Sequence, residues 1–130
     1  MSEKKKYELE YLLKTSPKVL YNLVATPSGL SEWFADNVNV NKDNIYTFIW
    51  DGAEEEARLI TKRNGECIKW IWMSDEEEGE NTYFEFKIAT DPMTKSTLFY
   101  VIDFAEEDEV EEATELWESQ INELKRILGA

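Results

Sequence analysis

Residues 16–36 read SPKVLYNLVATPSGLSEWFAD. Ser16 before Pro17 has the form of a helix start, an N-cap hydroxyl followed by proline at the first helical position. Val19, Leu20, Leu23 and Val24 then recur at helical spacing, which predicts a short helix. Thr26-Pro27 stops that helix and can start another, so a second short helix is expected through Leu30, Trp33 and Phe34. The polar, glycine-containing stretch between them ends on two large apolar rings. Trp33 and Phe34 either staple the short helices to a core or shape the mouth of a hollow, and residue types leave both readings open.

On the N-terminal side, KYELEYLLK (6–14) alternates Tyr7, Leu9, Tyr11 and Leu13 against Glu8, Glu10, Leu12 and Lys14, the period of a half-buried strand. On the C-terminal side, five stretches are rich in aromatic and β-branched residues: NIYTFIW (44–50), EEARLITKR (55–63), ECIKWIWMS (66–74), NTYFEFKIAT (81–90) and STLFYVIDFA (96–105). DNVNVN (36–41) can add a short strand. The acidic stretches DGAEEE (51–56) and SDEEEGEN (74–81) carry Gly52 and Gly79 and read as hairpin turns. Closely spaced strands favour an antiparallel meander. The chain ends in EEDEVEEATELWESQINELKRILGA (106–130), where Val110, Ala113, Trp117, Ile121, Leu124 and Leu128 form one stripe. Acids at its start and Lys125 and Arg126 at its end suit the helix dipole. With no internal repeat and no linker, residues 1–130 read as one α+β domain.

This order, with Ser16-Pro17-Lys18-Val19-Leu20-Tyr21 and then Thr26-Pro27-Ser28-Gly29-Leu30-Ser31-Glu32-Trp33-Phe34 after the first strand, resembles the START-like helix-grip superfamily. Within that superfamily it is most similar to the homologues of the activator of heat-shock chaperone ATPase. ECIKWIW resembles their central strand, which usually ends in tryptophan. The resemblance implies a curved antiparallel sheet wrapped around the long C-terminal helix, with two short helices closing one end. It also implies a hydrophobic cavity between sheet and helix, near whose entrance Trp33 and Phe34 would stand. Because such folds host many functions, it implies little about activity.

Charge excludes some functions. Fourteen Lys and Arg against 28 Asp and Glu give a formal net charge of −14. That field repels phosphate backbones and anionic bilayers, so no nucleic acid and no stable membrane insertion is expected. No apolar run approaches the ~20 residues of a membrane helix. The start, MSEKKKYELEY, does not read as a signal peptide, and the lone Cys67 excludes an internal disulfide, so a cytoplasmic setting is expected.

The chain has no histidine. That removes the commonest general base and every Ser-His or Cys-His pair. No phosphate-cradling glycine motif occurs, SDEEEGEN lacks the register of a calcium loop, and no metal or cofactor is expected. Asp103 and Glu85 lie within strands and are acid/base candidates by residue type. The strand phase chosen below points both outward, so no catalytic residue is assigned.

Five Trp, six Tyr and six Phe are the remaining signal. Choosing the most apolar phase of each strand turns inward Tyr46, Phe48 and Trp50; Ile68, Trp70 and Trp72; Phe84, Phe86 and Ile88; and Leu98, Tyr100 and Ile102. Trp117 and Ile121 face them from the long helix. The candidate cavity lining is therefore Trp33, Phe34, Phe48, Trp50, Trp70, Trp72, Phe84, Phe86, Tyr100, Trp117 and Ile121. The Tyr100 hydroxyl and the indole N–H groups would be its polar handles. Rings this large can also fill the interior completely. In the opposite phase lie Leu12, Ile71, Phe99 and Val101. Leu12, Phe99 and Val101 would meet if the first and last strands pair, a patch that could join two copies. The leading expectation is a non-enzymatic module for a small hydrophobic molecule. A chaperone-accessory interaction domain with a filled core and a cyclase- or hydratase-type enzyme are the alternatives.

Overall fold

The computed structural model describes residues 4–129; residues 1–3 and 130 lie outside the described residues. Strand β1 (Lys4–Leu13) is followed by helices α1 (Pro17–Ala25) and α2 (Pro27–Trp33). Strands β2 (Asn37–Val40), β3 (Ile45–Trp50), β4 (Ala53–Arg63) and β5 (Cys67–Trp72) come next. A short helix α3 (Met73–Glu77), strands β6 (Phe84–Thr90) and β7 (Thr97–Glu106), a 3₁₀ turn (Glu107–Glu109) and helix α4 (Val110–Leu128) complete the chain. The seven strands form one antiparallel sheet in the order β1-β7-β6-β5-β4-β3-β2, so β2 to β7 are a meander and β1 pairs with β7. The sheet curves around α4, giving the helix-grip α+β architecture expected from the sequence.

Local chemistry sets the start of this frame. The Ser16 hydroxyl accepts the Val19 N–H at 3.2 Å and caps α1. Thr26 serves both short helices. Its hydroxyl donates to the Asn22 carbonyl at 2.6 Å and accepts the Gly29 N–H at 3.0 Å, so one residue ends α1 and begins α2. Gly29 is required by the close approach of the two helices. A Cβ there would lie 2.2 Å from the Asn22 carbonyl oxygen and 2.6 Å from the Leu23 Cα.

The β3–β4 connection is the two-residue turn Asp51-Gly52, with φ of 52° and 84°. Two left-handed residues match the twist of a tight hairpin. The acidic stretch 74–81 departs from the simple turn expected of it, because α3 folds there against β4 and β5. The reason is pairing. Arg58 on β4 bonds Glu76, while Asp75 accepts from Thr82 at 2.7 Å and from Lys4 at 3.1 Å.

One strand phase is corrected. Tyr100 was expected inside and Phe99 and Val101 outside; the structure reverses them. Phe99 and Val101 are fully buried in the core cluster, and register pairs Val101 with Phe86 and with Leu9, both inward. Tyr100 stands on the outer face beside Cys67 and Lys87. Both faces of β7 are apolar, since Ile102 on the outer side is also buried between its register partners Glu8 and Glu85. Counting apolar residues therefore could not choose the phase, whereas strand pairing does. The expected two-copy patch falls with it, because only Leu12 of the three remains outside, 51% exposed.

A candidate cavity between the sheet and the first half of α4

The interior has a closed end and an open end. At the closed end α1 and α2 seal the sheet, and Trp33 is part of the plug, 5% exposed. Its indole N–H donates to the Leu23 carbonyl at 2.7 Å, and its rings pack on Phe34, Phe86 and Phe99. Trp33 is therefore removed from the entrance expected for it. Phe48, Trp70, Phe84, Phe86 and Ile121 are also closed off, each at most 1% exposed. Trp70 stacks on Phe84 with ring centroids 4.9 Å apart.

At the other end, a cavity of about 430 Å³ opens between the sheet and the first half of α4. Its walls include Phe34, which follows α2; Trp50, closing β3; Trp72, closing β5; and Trp117 on α4. These rings are continuous. Trp117 stacks on Phe34 at 5.6 Å, Phe34 meets Trp50 edge-on at 5.3 Å, and Trp50 and Trp72 are 6.1 Å apart. Ala113 and Leu116 of α4 complete the apolar lining, and Leu116 is 65% exposed. Of the eleven residues expected to line a hollow, this space brings together Phe34, Trp50, Trp72 and Trp117. Tyr100 is on the far side of the sheet.

Sequence reasoning missed the polar groups that share this space: Asp103, Glu55 and Gln120. Asp103 was expected to point outward; with β7 in its true phase it points in. Three donors hold its carboxylate: the Trp117 indole N–H at 3.0 Å, the Tyr7 hydroxyl at 3.2 Å and the Phe104 N–H at 2.8 Å. Burial pushes the Asp103 carboxyl above the usual aspartate range, partly opposed by these hydrogen bonds. Burial, with the Asp103 charge beside it, also pushes the Tyr7 phenol upward. Glu55 is paired in register with Phe48, which puts it on the concave face where that face meets solvent. The run Ala53, Glu55, Ala57 carried this signal, since small and acidic residues on a concave face leave room that large ones would fill. Glu85, the other acid considered, faces outward as its phase implies but is only 7% exposed.

The indole N–H groups expected to serve a ligand are largely committed elsewhere. Trp50 donates to the Phe34 carbonyl at 2.6 Å, and the Gln120 amide donates to the same oxygen at 2.9 Å. Outside the cavity, two acidic clusters could hold a metal ion among the described residues: Asp75, Glu78 and Glu80, and Glu106, Asp108 and Glu109. In the first, the Lys4 ammonium lies 3.1 Å from Asp75 and 3.2 Å from Glu80, where a cation would otherwise sit.

No helix among the described residues is long and apolar enough to cross a membrane. No curated protein matches the sequence significantly. Among solved structures, a Bacteroides fragilis protein is 38% identical, covering 98% of this chain and 92% of its own, with a TM-score of 0.67. The Aha1 dimer from Colwellia psychrerythraea is 17% identical over 95% of this chain and 96% of its own, with a TM-score of 0.78. Protein BH1534 from Bacillus halodurans is 13% identical over 98% and 99%, with a TM-score of 0.74. These last two are likenesses of fold. The family model for the START-like superfamily domain matches residues 1–130, and the chain belongs to that superfamily.

Proposed function

We propose that this chain is a non-catalytic binding module for a small, largely apolar molecule held between the sheet and α4. The observation that carries this reading is the 430 Å³ cavity walled by Phe34, Trp50, Trp72 and Trp117. Small-molecule sites are concave, mostly apolar and provided with a few polar groups, and their usual volumes span roughly 300–1,000 Å³. The closed end supports the reading as well, because a packed scaffold keeps the open end from collapsing.

The test is titration with the neutral fluorophore N-phenyl-1-naphthylamine. Saturable one-to-one binding is expected, with quenching of tryptophan emission. Ala113→Phe should fill the space and abolish binding while the protein stays folded. Absence of binding by the wild type, or undiminished binding by Ala113→Phe, would remove the cavity reading.

Asp103 favours a second reading, acid–base catalysis in the same space, since perturbed carboxyls mark active sites. Three donors to its carboxylate count against it, because they hold the group as an acceptor rather than free it to deliver a proton. Chemical change of a bound probe on incubation would favour the enzyme; recovery of the probe unchanged favours the binding module.

A further inference from the structure

Resting on the cavity reading, we infer that the site selects organic cations: a tertiary or quaternary ammonium group carrying a small apolar body. Four aromatic rings and two carboxyl groups line the space, and none of the described lining residues is Lys or Arg, although the Lys4 charge also acts on Asp103. A ring face is the negative side of its quadrupole, and a cation within about 6 Å of the centroid is attracted to it. Trp50, Trp72 and Trp117 supply the aromatic surface, Phe34 being stacked on both Trp117 and Phe84, and the carboxyl groups of Asp103 and Glu55 lie beside it.

Anions are disfavoured for two reasons. Three of the four lining side chains that could donate to an anion are engaged, since Trp50 and Gln120 donate to the Phe34 carbonyl and Trp117 donates to Asp103, which leaves the Trp72 indole. The approach is acidic too. A shallow groove shares Ala113 and Leu116 with the cavity and is otherwise lined by Glu109, Glu112 and Glu115. These acids extend the negative field outward from the mouth and raise the local concentration of cations. A carboxylate has about four lone-pair sites. Asp103 receives three hydrogen bonds, so a tertiary ammonium N–H has an acceptor left, and a quaternary one needs only the charge.

The test uses three probes of one shape: phenyltrimethylammonium, its uncharged carbon isostere tert-butylbenzene, and benzenesulfonate. Binding is followed by NMR shifts of the tryptophan indole N–H groups. The cation should bind at least about tenfold more tightly than the isostere, with no saturable binding of the sulfonate. Glu55→Gln, a near-isosteric change at an exposed position on β4, should weaken the cation severalfold and tert-butylbenzene far less. Asp103→Asn should do the same more strongly. Equal or tighter binding of tert-butylbenzene would overturn the charge selection while leaving an apolar site in place. Saturable binding of benzenesulfonate at the cation's affinity would overturn it as well. Failure of all three probes would overturn both this inference and the cavity reading.

Discussion

Trp33, Phe86 and Phe99 at one end of the interior, and Trp50, Trp72 and Trp117 at the other, are the same kinds of side chain with opposite outcomes. At the first end the rings meet other rings or a helix backbone and are buried. At the second, α4 offers Ala113 and an exposed Leu116, β4 offers Glu55, and the rings are left facing a hollow. Whether aromatic residues make a core or a pocket is thus decided by the size and charge of what stands opposite them. Phe34 belongs to both ends, touching Phe86 on one side and Trp50 and Trp117 on the other. It is the floor of the cavity and the lid of the core.

The sharpest way to break this comparison is truncation at the closed end. Trp33→Ala removes a buried ring and leaves the Leu23 carbonyl without its donor, so a loss of ~3–5 kcal/mol is expected by chemical denaturation. A loss below ~1 kcal/mol would show that Trp33 is not part of the plug. Gly29→Ala should cost about 1–3 kcal/mol, because the added methyl meets the α1 backbone and the short helices must move apart. Wild-type stability in that variant would mean that α1 and α2 are not held at the observed approach.

A smaller effect, confined in pH, is expected at the open end. The folded Asp103 carboxyl binds its proton more readily than the same group in the unfolded chain. Between the ordinary aspartate value near 3.9 and the raised folded value, the native state therefore holds more protons, and this group's contribution to stability falls as pH rises. Subtracting the stability of Asp103→Asn from that of the wild type across this window should isolate a negative slope that flattens above it. A difference that rises with pH would contradict a desolvated carboxylate. The smallest stability change is expected for Leu116→Ala, within ~0.5 kcal/mol because the side chain is 65% exposed. The same substitution should nevertheless change the affinity of N-phenyl-1-naphthylamine, and that separation of binding from stability is what distinguishes the open end from the closed one.

Much of the frame was legible in the sequence, for local reasons. Ser16-Pro17 and Thr26-Pro27 place two helix starts by capping chemistry that needs no tertiary contact. Asp51-Gly52 sets a hairpin by backbone conformation alone, and the stripe through Trp117, Ile121 and Leu124 gives α4 its buried face. Strands with one polar side, such as Tyr7 to Leu13 in β1, also declared their inward residues by alternation. What only the tertiary structure decided lies where that alternation is lost. The strand β7 is apolar on both faces, so its phase follows from pairing with β6 and β1, and a register set by neighbours cannot be read from one strand. That single choice carried Asp103 into the cavity and Tyr100 out of it. The hollow itself is a difference between the volume enclosed by sheet and helix and the volume of the side chains that enter it, and the first of these quantities exists only after the chain has folded.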